Sequence, residues 1–390
     1  MFLEKSCERC GTCLVECPYI EITEENAINE ISNMIETRES GDLLKRCIGC
    51  AYCNSVCPTQ SNPRELIREI TINSTSKEGI PRFFIASDEI PYNETTIAMN
   101  IEPELKKNIL NKYLNPPKTE TMYYLGCALS YIQTDLLNTK ILSDLPKIGG
   151  DKYCCGGYTK MFGEEEVKIK GRSLLKDFKE LGVKKFILFC PGCLNMMKGV
   201  YSRLLPEYPE NIEFQTFSQY FIEKYHKGEL NLTTKIKERI TFHDPCAWRG
   251  LDKKVFEAPR EFLEIIGAEV VEMKHNYKNS LCCGSPASAT SEEFYNETSG
   301  MRISEAVEIE AKIIAVSCTG CISLGKPSRE KDIETYHLIE LAQMAIGENP
   351  THRTNELRDN YHKLLEKTIN ENPDLLKDKV IIKKGKIIQI

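Results

Sequence analysis

From Met122 onward, apolar positions gather into short runs of strand length, separated by amphipathic stretches. Met122-Tyr123-Tyr124-Leu125, Lys185-Phe186-Ile187-Leu188-Phe189, Ile240-Thr241-Phe242-His243 and Lys312-Ile313-Ile314-Ala315-Val316 are rich in β-branched and aromatic residues. Between them, stretches such as Glu164 to Leu181 carry apolar residues at helical spacing. This alternation predicts α/β sheet modules. Upstream the pattern changes. Glu21 to Leu44 is helical in character, and Thr71 to Glu120 is polar, interrupted by Pro81, Pro91, Pro103, Pro116 and Pro117, as in a linker with short helices. At the far end, Val380-Ile381-Ile382 and Ile387-Ile388 flank Lys383-Lys384-Gly385-Lys386, predicting a hairpin with a Gly turn rather than a basic binding patch.

The α/β region is an internal repeat. Cys155 and Cys283 are 128 positions apart, as are Cys190 and Cys318, whereas Cys127 and Cys246 are 119 apart because one loop of the first copy is nine residues shorter. Each copy reads Cys…Cys-Cys-Gly…Cys-x-x-Cys, and its cysteines follow predicted strands, at the carboxyl ends where open α/β sheets place ligands. The adjacent pairs Cys154-Cys155 and Cys282-Cys283 crowd two thiols more closely than an ordinary zinc tetrahedron does.

The remaining eight of the 18 cysteines lie near the N-terminus. Cys7, Cys10, Cys13 and Cys17-Pro18, then Cys47, Cys50, Cys53 and Cys57-Pro58, state the C-x2-C-x2-C-x3-C-P run twice. In that pattern three close thiolates hold one cubane, and the fourth cysteine reaches the other. The expected pairing is crossed: Cys7, Cys10, Cys13 and Cys57 on one 4Fe-4S cluster, and Cys47, Cys50, Cys53 and Cys17 on the other. Zinc has no use for the third close cysteine. Disulfides are disfavoured because no signal peptide opens the chain, so a reducing, cytoplasmic compartment is expected.

With Cys282-Cys283-Gly284 and Cys318-Thr319-Gly320-Cys321 in the second copy, the paired modules resemble the cysteine-rich CCG domains of heterodisulfide reductases. The order of ferredoxin and two CCG domains resembles the D subunit of that family over roughly residues 1 to 345. The fold expected is α+β with α/β modules: a helical two-cluster ferredoxin domain (1–70), a linker (71–120), two tandem CCG domains (121–232 and 233–348), and a C-terminal helix and hairpin tail (349–390). The resemblance implies a noncubane 4Fe-4S cluster on Cys127, Cys154, Cys155, Cys190 and Cys193, and a second on Cys246, Cys282, Cys283, Cys318 and Cys321. It further implies reduction of the coenzyme M/coenzyme B heterodisulfide, a small-molecule disulfide, fed by the two ferredoxin cubanes.

The first copy's shortened spacing is also compatible with a plain cubane and a spare thiol. Related modules often carry His directly after the first cysteine, as a proton donor. Here His243-Asp244-Pro245-Cys246-Ala247-Trp248 lacks it. His243 is a candidate substitute, although capping the strand end is the expected role. Trp248 is expected in the core, and His337 is expected to be a structural residue on a helix, with Ser218 its counterpart in the first copy.

A similar arrangement occurs in iron-sulfur subunits of flavin-dependent glycerol-3-phosphate, glycolate or lactate dehydrogenases and in thiol:fumarate reductases, so an electron-relay role is the alternative. Over 390 residues the formal charge is −6, and basic runs are short, which gives no support for nucleic-acid binding. No window approaches the roughly 18 apolar residues of a membrane span. The expected partner is an electron-donating subunit, whether a flavoprotein, a hydrogenase-type protein or a membrane cytochrome, through which the chain would sit at a membrane if it does so at all.

Overall fold

The computed structural model describes residues 1–81, 97, 113–127, 134–289 and 291–389; much of the expected linker, with Pro91 and Pro103, lies outside them. In the first repeat, strands β2 (Thr121–Gly126), β3 (Lys147–Gly149), β4 (Lys185–Leu188) and β5 (Glu213–Thr216) form a parallel sheet in the order β3-β2-β4-β5. In the second, β6 (Arg239–Phe242), β7 (Glu269–Val270), β8 (Ile313–Val316) and β9 (Glu334–His337) repeat that order as β7-β6-β8-β9. The register matches as well: Leu188 pairs with Thr216, and Val316 with His337. The central strands are almost wholly buried, as strands covered by helices on both faces must be.

At the N-terminus, the helical segment between the cysteine runs is α2 (Glu24–Thr37), opened by the Thr23 side chain accepting the Asn26 N–H. Short helices α1 (Thr12–Val15) and α3 (Tyr52–Val56) follow Cys10-Gly11 and Cys50-Ala51, with Gly11 and Ala51 both in the left-handed region. Helix α4 spans Pro63–Glu78 and leads into β1 (Ile80–Pro81).

The helix expected from Glu164 to Leu181 occupies that range as α5. Three glutamates favour its positively polarised N-terminal turn, and Gly182 at φ 71° closes it. Its buried Phe178 packs on Phe186 of β4 at 4.3 Å. A single turn, α6 (Pro191–Leu194), follows β4, with Pro191 at its start where a missing N–H costs nothing. The two modules share one apolar core. Where α7 (Phe217–His226) meets α8 (Lys253–Ile265), the Phe221 ring stands edge-on to Phe262 at 4.7 Å.

The terminal hairpin forms as expected from β10 (Lys379–Lys383) and β11 (Lys386–Gln389), and β10 also pairs with β1. Its Lys384 and Gly385 amides donate to the buried carboxylate of Glu166 on α5.

Candidate iron-sulfur centres

In each module the order β3-β2-β4-β5 or β7-β6-β8-β9 reverses direction between its first and third strands in sequence, and ligands bind at the carboxyl ends beside such a switch. Cys127 directly follows β2, and Cys190 lies just past β4, at the head of α6. In the second module Cys246 follows β6 and Cys318 follows β8 in the same way. The Cys-Cys-Gly segments arrive on the loops after β3 and β7. Gly156 (φ 72°) and Gly284 (φ 82°) turn them in the left-handed conformation. A Cβ on Gly284 would stand 2.5 Å from Thr298 Oγ1 and 3.1 Å from the Ser299 amide nitrogen. On Gly156 it would stand 2.5 Å from Lys170 Cγ. The glycine is what lets the paired cysteines lie flat against the following helix.

The five thiols of each module stand in an unbroken series of contacts. In the first the series runs Cys127, Cys154, Cys155, Cys193, Cys190. In the second it runs Cys246, Cys282, Cys283, Cys321, Cys318. Thiols that accept a neighbour's S–H are held low: Cys154 by Cys127 and Cys155, Cys190 by Cys193 to about 7, and Cys283 by Cys282 and Cys321. Their donors, Cys193 and Cys321, are pushed well up, chiefly by those same bonds and then by burial. A converging set of five thiols fits an iron-sulfur cluster, which requires thiolates. In both modules the three middle thiols of this series are buried and the two at its ends are half-buried.

The ferredoxin thiols group in two sets. Burial pushes Cys13 up to about 12, and the charges that add to this are those of Cys57, Cys7 and Cys10. Burial likewise raises Cys17 to about 11, with Cys50 and Cys47 as its thiol neighbours. Each run's fourth cysteine thus has thiols of the other run as neighbours.

His243 does not cap the strand end. Its ring is buried, and Arg302 Nε donates to its Nδ1 at 3.0 Å. Nδ1 is thereby an acceptor, and the ring proton belongs on Nε2. A ring nitrogen of His243 and the thiols of Cys283 and Cys321 lie within 4.8 Å of one another. Burial, only partly opposed by Cys283, holds the imidazole below its ordinary pKa and so neutral. Arg302 also bonds Glu305, which meets the partly exposed His275. The strand-cap expectation fails because distant α9 (Glu292–Glu308) supplies the arginine that turns the ring inward.

His337 is buried as expected, but it ends β9 as the N-cap of α10 (Leu338–Ala345), its Nδ1 accepting the Ile339 N–H. Its counterpart is Thr216, the N-cap of α7, and not Ser218. Trp248 is buried against Phe242 and Phe256, as expected of a core residue. It also lines a narrow crevice between the modules, with Phe189, Cys190, Leu194, Ser317 and His337. Three buried groups on that wall, Trp248 Nε1, Ser317 Oγ and His337 Nε2, have no hydrogen-bond partner among the described residues.

Residues that the sequence reading missed also shape the sites. Tyr19 Oη accepts the Cys282 N–H at 2.7 Å, Tyr201 Oη donates to the Cys155 carbonyl at 2.6 Å, and Arg249 lies between domains. A tyrosine or arginine has no spacing signature, so no sequence signal marked them.

The cysteine-rich CCG domain model matches residues 121–198 and 240–323, and the 4Fe-4S dicluster domain model matches residues 6–72. The chain is 27% identical over 344 residues to the D subunit of the dihydromethanophenazine:CoB–CoM heterodisulfide reductase of Methanosarcina barkeri, covering 80% of each chain. It is 23% identical over 377 residues to the B subunit of the fumarate reductase (CoM/CoB) of Methanothermobacter marburgensis, covering 88% of this chain and 73% of that one. To the probable glycolate oxidase iron-sulfur subunit of Bacillus subtilis it is 24% identical over 429 residues, covering 88% and 94%. No helix among the described residues is long and apolar enough to cross a membrane.

Proposed function

Since this chain belongs with the heterodisulfide reductase D-like iron-sulfur oxidoreductase subunits, with a 4Fe-4S dicluster domain followed by two CCG domains, we propose that it reduces a small-molecule disulfide, the coenzyme M/coenzyme B heterodisulfide. In this reading Cys7, Cys10, Cys13 and Cys57 hold one cubane, Cys17, Cys47, Cys50 and Cys53 hold the other, and the two five-cysteine sets hold noncubane 4Fe-4S clusters. Such clusters supply electrons singly, whereas a disulfide takes two. The observation that supports the reading is the pair of converging five-thiol sets, one at the strand ends of each module. Between the modules lies a narrow crevice of about 10 Å³, lined by Cys190 from the first set and by Ser317, the neighbour of Cys318.

The chain's own residues then have definable tasks. Phe189, Leu194 and Trp248 form an apolar wall beside Cys190. The Trp248 N–H and Ser317 hydroxyl, unpartnered among the described residues, are the donors offered to a polar group of the substrate. His243, its proton held on Nε2 by Arg302, is the candidate proton donor at the Cys283 side of the second site. An electron-donating protein partner completes the scheme.

The test is electron paramagnetic resonance on anaerobically purified, oxidised protein with and without the coenzyme M thiol, together with an iron count. A new signal that depends on the thiol is expected at a CCG site. Cubane signals indifferent to the thiol would sink the reductase reading. They would leave the relay role favoured by the likeness to the glycolate oxidase protein, which spans nearly the whole length of that relative.

A further inference from the structure

Arg249 is 9% exposed and lies where the ferredoxin domain meets the second CCG module. Among the described residues its side-chain hydrogen bonds all go to main-chain carbonyls. Nη1 donates to Cys50, Nη2 to Ser280, and Nε to Lys278 at 2.8 Å, while the guanidinium sits 5.5 Å from the Tyr52 ring centre. Among the described residues no carboxylate lies in ion-pair range of it. Guanidinium stays charged in a protein, and a buried charge with no counter-charge costs several kcal/mol. The opposing charge must come from elsewhere.

The groups around it name the source. The groups facing the guanidinium are Cys50, Cys246, Tyr19 and Cys282. Cys50 belongs to one ferredoxin thiol set, while Cys246 and Cys282 belong to the second CCG set. Tyr19, whose hydroxyl accepts the Cys282 N–H, bridges the same boundary. Tyr19, Cys50, Tyr52, Cys282 and Cys283 also share one apolar cluster, so the junction is dry. In the first module the cation beside the thiols is Lys160, which lies near Cys155 and faces Arg64 and Arg68 of α4. Three positions after Cys127 its sequence has Ser130, and its Cys-Cys loop is braced by its own Tyr201.

We propose that Arg249 is the electrostatic link between the cluster on Cys17, Cys47, Cys50 and Cys53 and the second CCG centre, raising the reduction potential of both. The inference rests on the preceding reading that both thiol sets hold iron-sulfur clusters. Adding an electron adds negative charge, and a fixed cation in a dry junction favours that added charge more than it would in water.

The test is a redox titration followed by electron paramagnetic resonance on anaerobically purified full-length wild type, Arg249→Gln and Arg249→Lys, with iron counts. With iron retained, Arg249→Gln is expected to lower the reduced-to-oxidised ratio of those two centres about tenfold at fixed potential, about 59 mV for a one-electron couple. The cluster on Cys7, Cys10, Cys13 and Cys57 is the internal control and moves less. Arg249→Lys restores the wild-type midpoints. Unchanged midpoints in Arg249→Gln, or an equal shift in every centre, would overturn the proposal. Should Arg249→Gln lose iron from the two flanking centres, Arg249→Lys decides. Iron retained with wild-type midpoints supports the charge, whereas loss in both variants assigns Arg249 to carbonyl bonding alone and overturns it. A wild type with iron for the ferredoxin centres only is a separate failure, that of the cluster reading itself.

Discussion

At the scale of single residues, orientation matters more than identity. His243 is one of six histidines, and what sets it apart is Arg302, which fixes its tautomer from 59 positions away. Replacing it by Gln is expected to preserve the iron count and lower viologen-coupled heterodisulfide turnover about 10²-fold, in the range of a lost general acid. Turnover within about threefold of wild type would assign the ring to packing. His337 has a different consequence. Burial pushes it down to about 4 from an ordinary 6.5, so the folded state binds the neutral ring. Its contribution to stability is full above pH 6.5 and is lost as pH falls towards 4, where the unfolded chain takes up a proton that the folded one refuses. Urea unfolding at about pH 7.5 and about pH 5 is expected to show a smaller acid loss in His337→Thr, the residue type used at Thr216, than in wild type. An equal loss in both proteins would refute this.

At the scale of elements, the strand-loop-helix unit is built twice to one plan, and the glycine after each cysteine pair is the hinge. Gly284→Ala combines a left-handed backbone with a close contact on α9, and each is unfavourable by about 1–3 kcal/mol. An overall loss of about 3 kcal/mol is expected in chemical unfolding, with iron lost first from the second CCG site. A loss under about 1 kcal/mol would mean that the loop can shift away from Thr298 at little cost. The capping boxes at Thr216 with Gln219 and at His337 with Glu340 are the other repeated device, starting α7 and α10 at matching registers.

At the scale of the molecule, segments far apart in sequence close around the second CCG site. The ferredoxin domain reaches it through Tyr19, and Arg46 forms an ion pair with Glu297 on α9. From the other end, α11 (Thr354–Glu371) brings Arg358, which donates to the Thr319 and Gly320 carbonyls at 3.3 and 3.2 Å and to Ser285 Oγ at 3.3 Å. These bonds tie the Cys318–Cys321 loop to the Cys282–Cys283 loop. Arg358→Ala is expected to speed chelator-driven iron loss from that site severalfold and leave the ferredoxin centres unaffected, as followed by absorbance and iron content. Equal release rates in variant and wild type would show that the tail merely covers the site.

The chain by itself determined whatever depends on separation along the backbone: two four-cysteine runs, a repeat with thiols at strand ends, α5 and the terminal hairpin. Those features are local, because covalent spacing and the periods of strand and helix decide which side chains share a face. The inward turn of His243, the equivalence of His337 with Thr216, the crevice at Trp248 and the burial of Arg249 against Cys50 were decided by tertiary structure alone. Arg249 and Cys50 are 199 positions apart, and no periodic pattern links them. Their meeting follows from how two apolar surfaces dock, and that docking leaves a charged side chain between thiol sets that the sequence presents as separate.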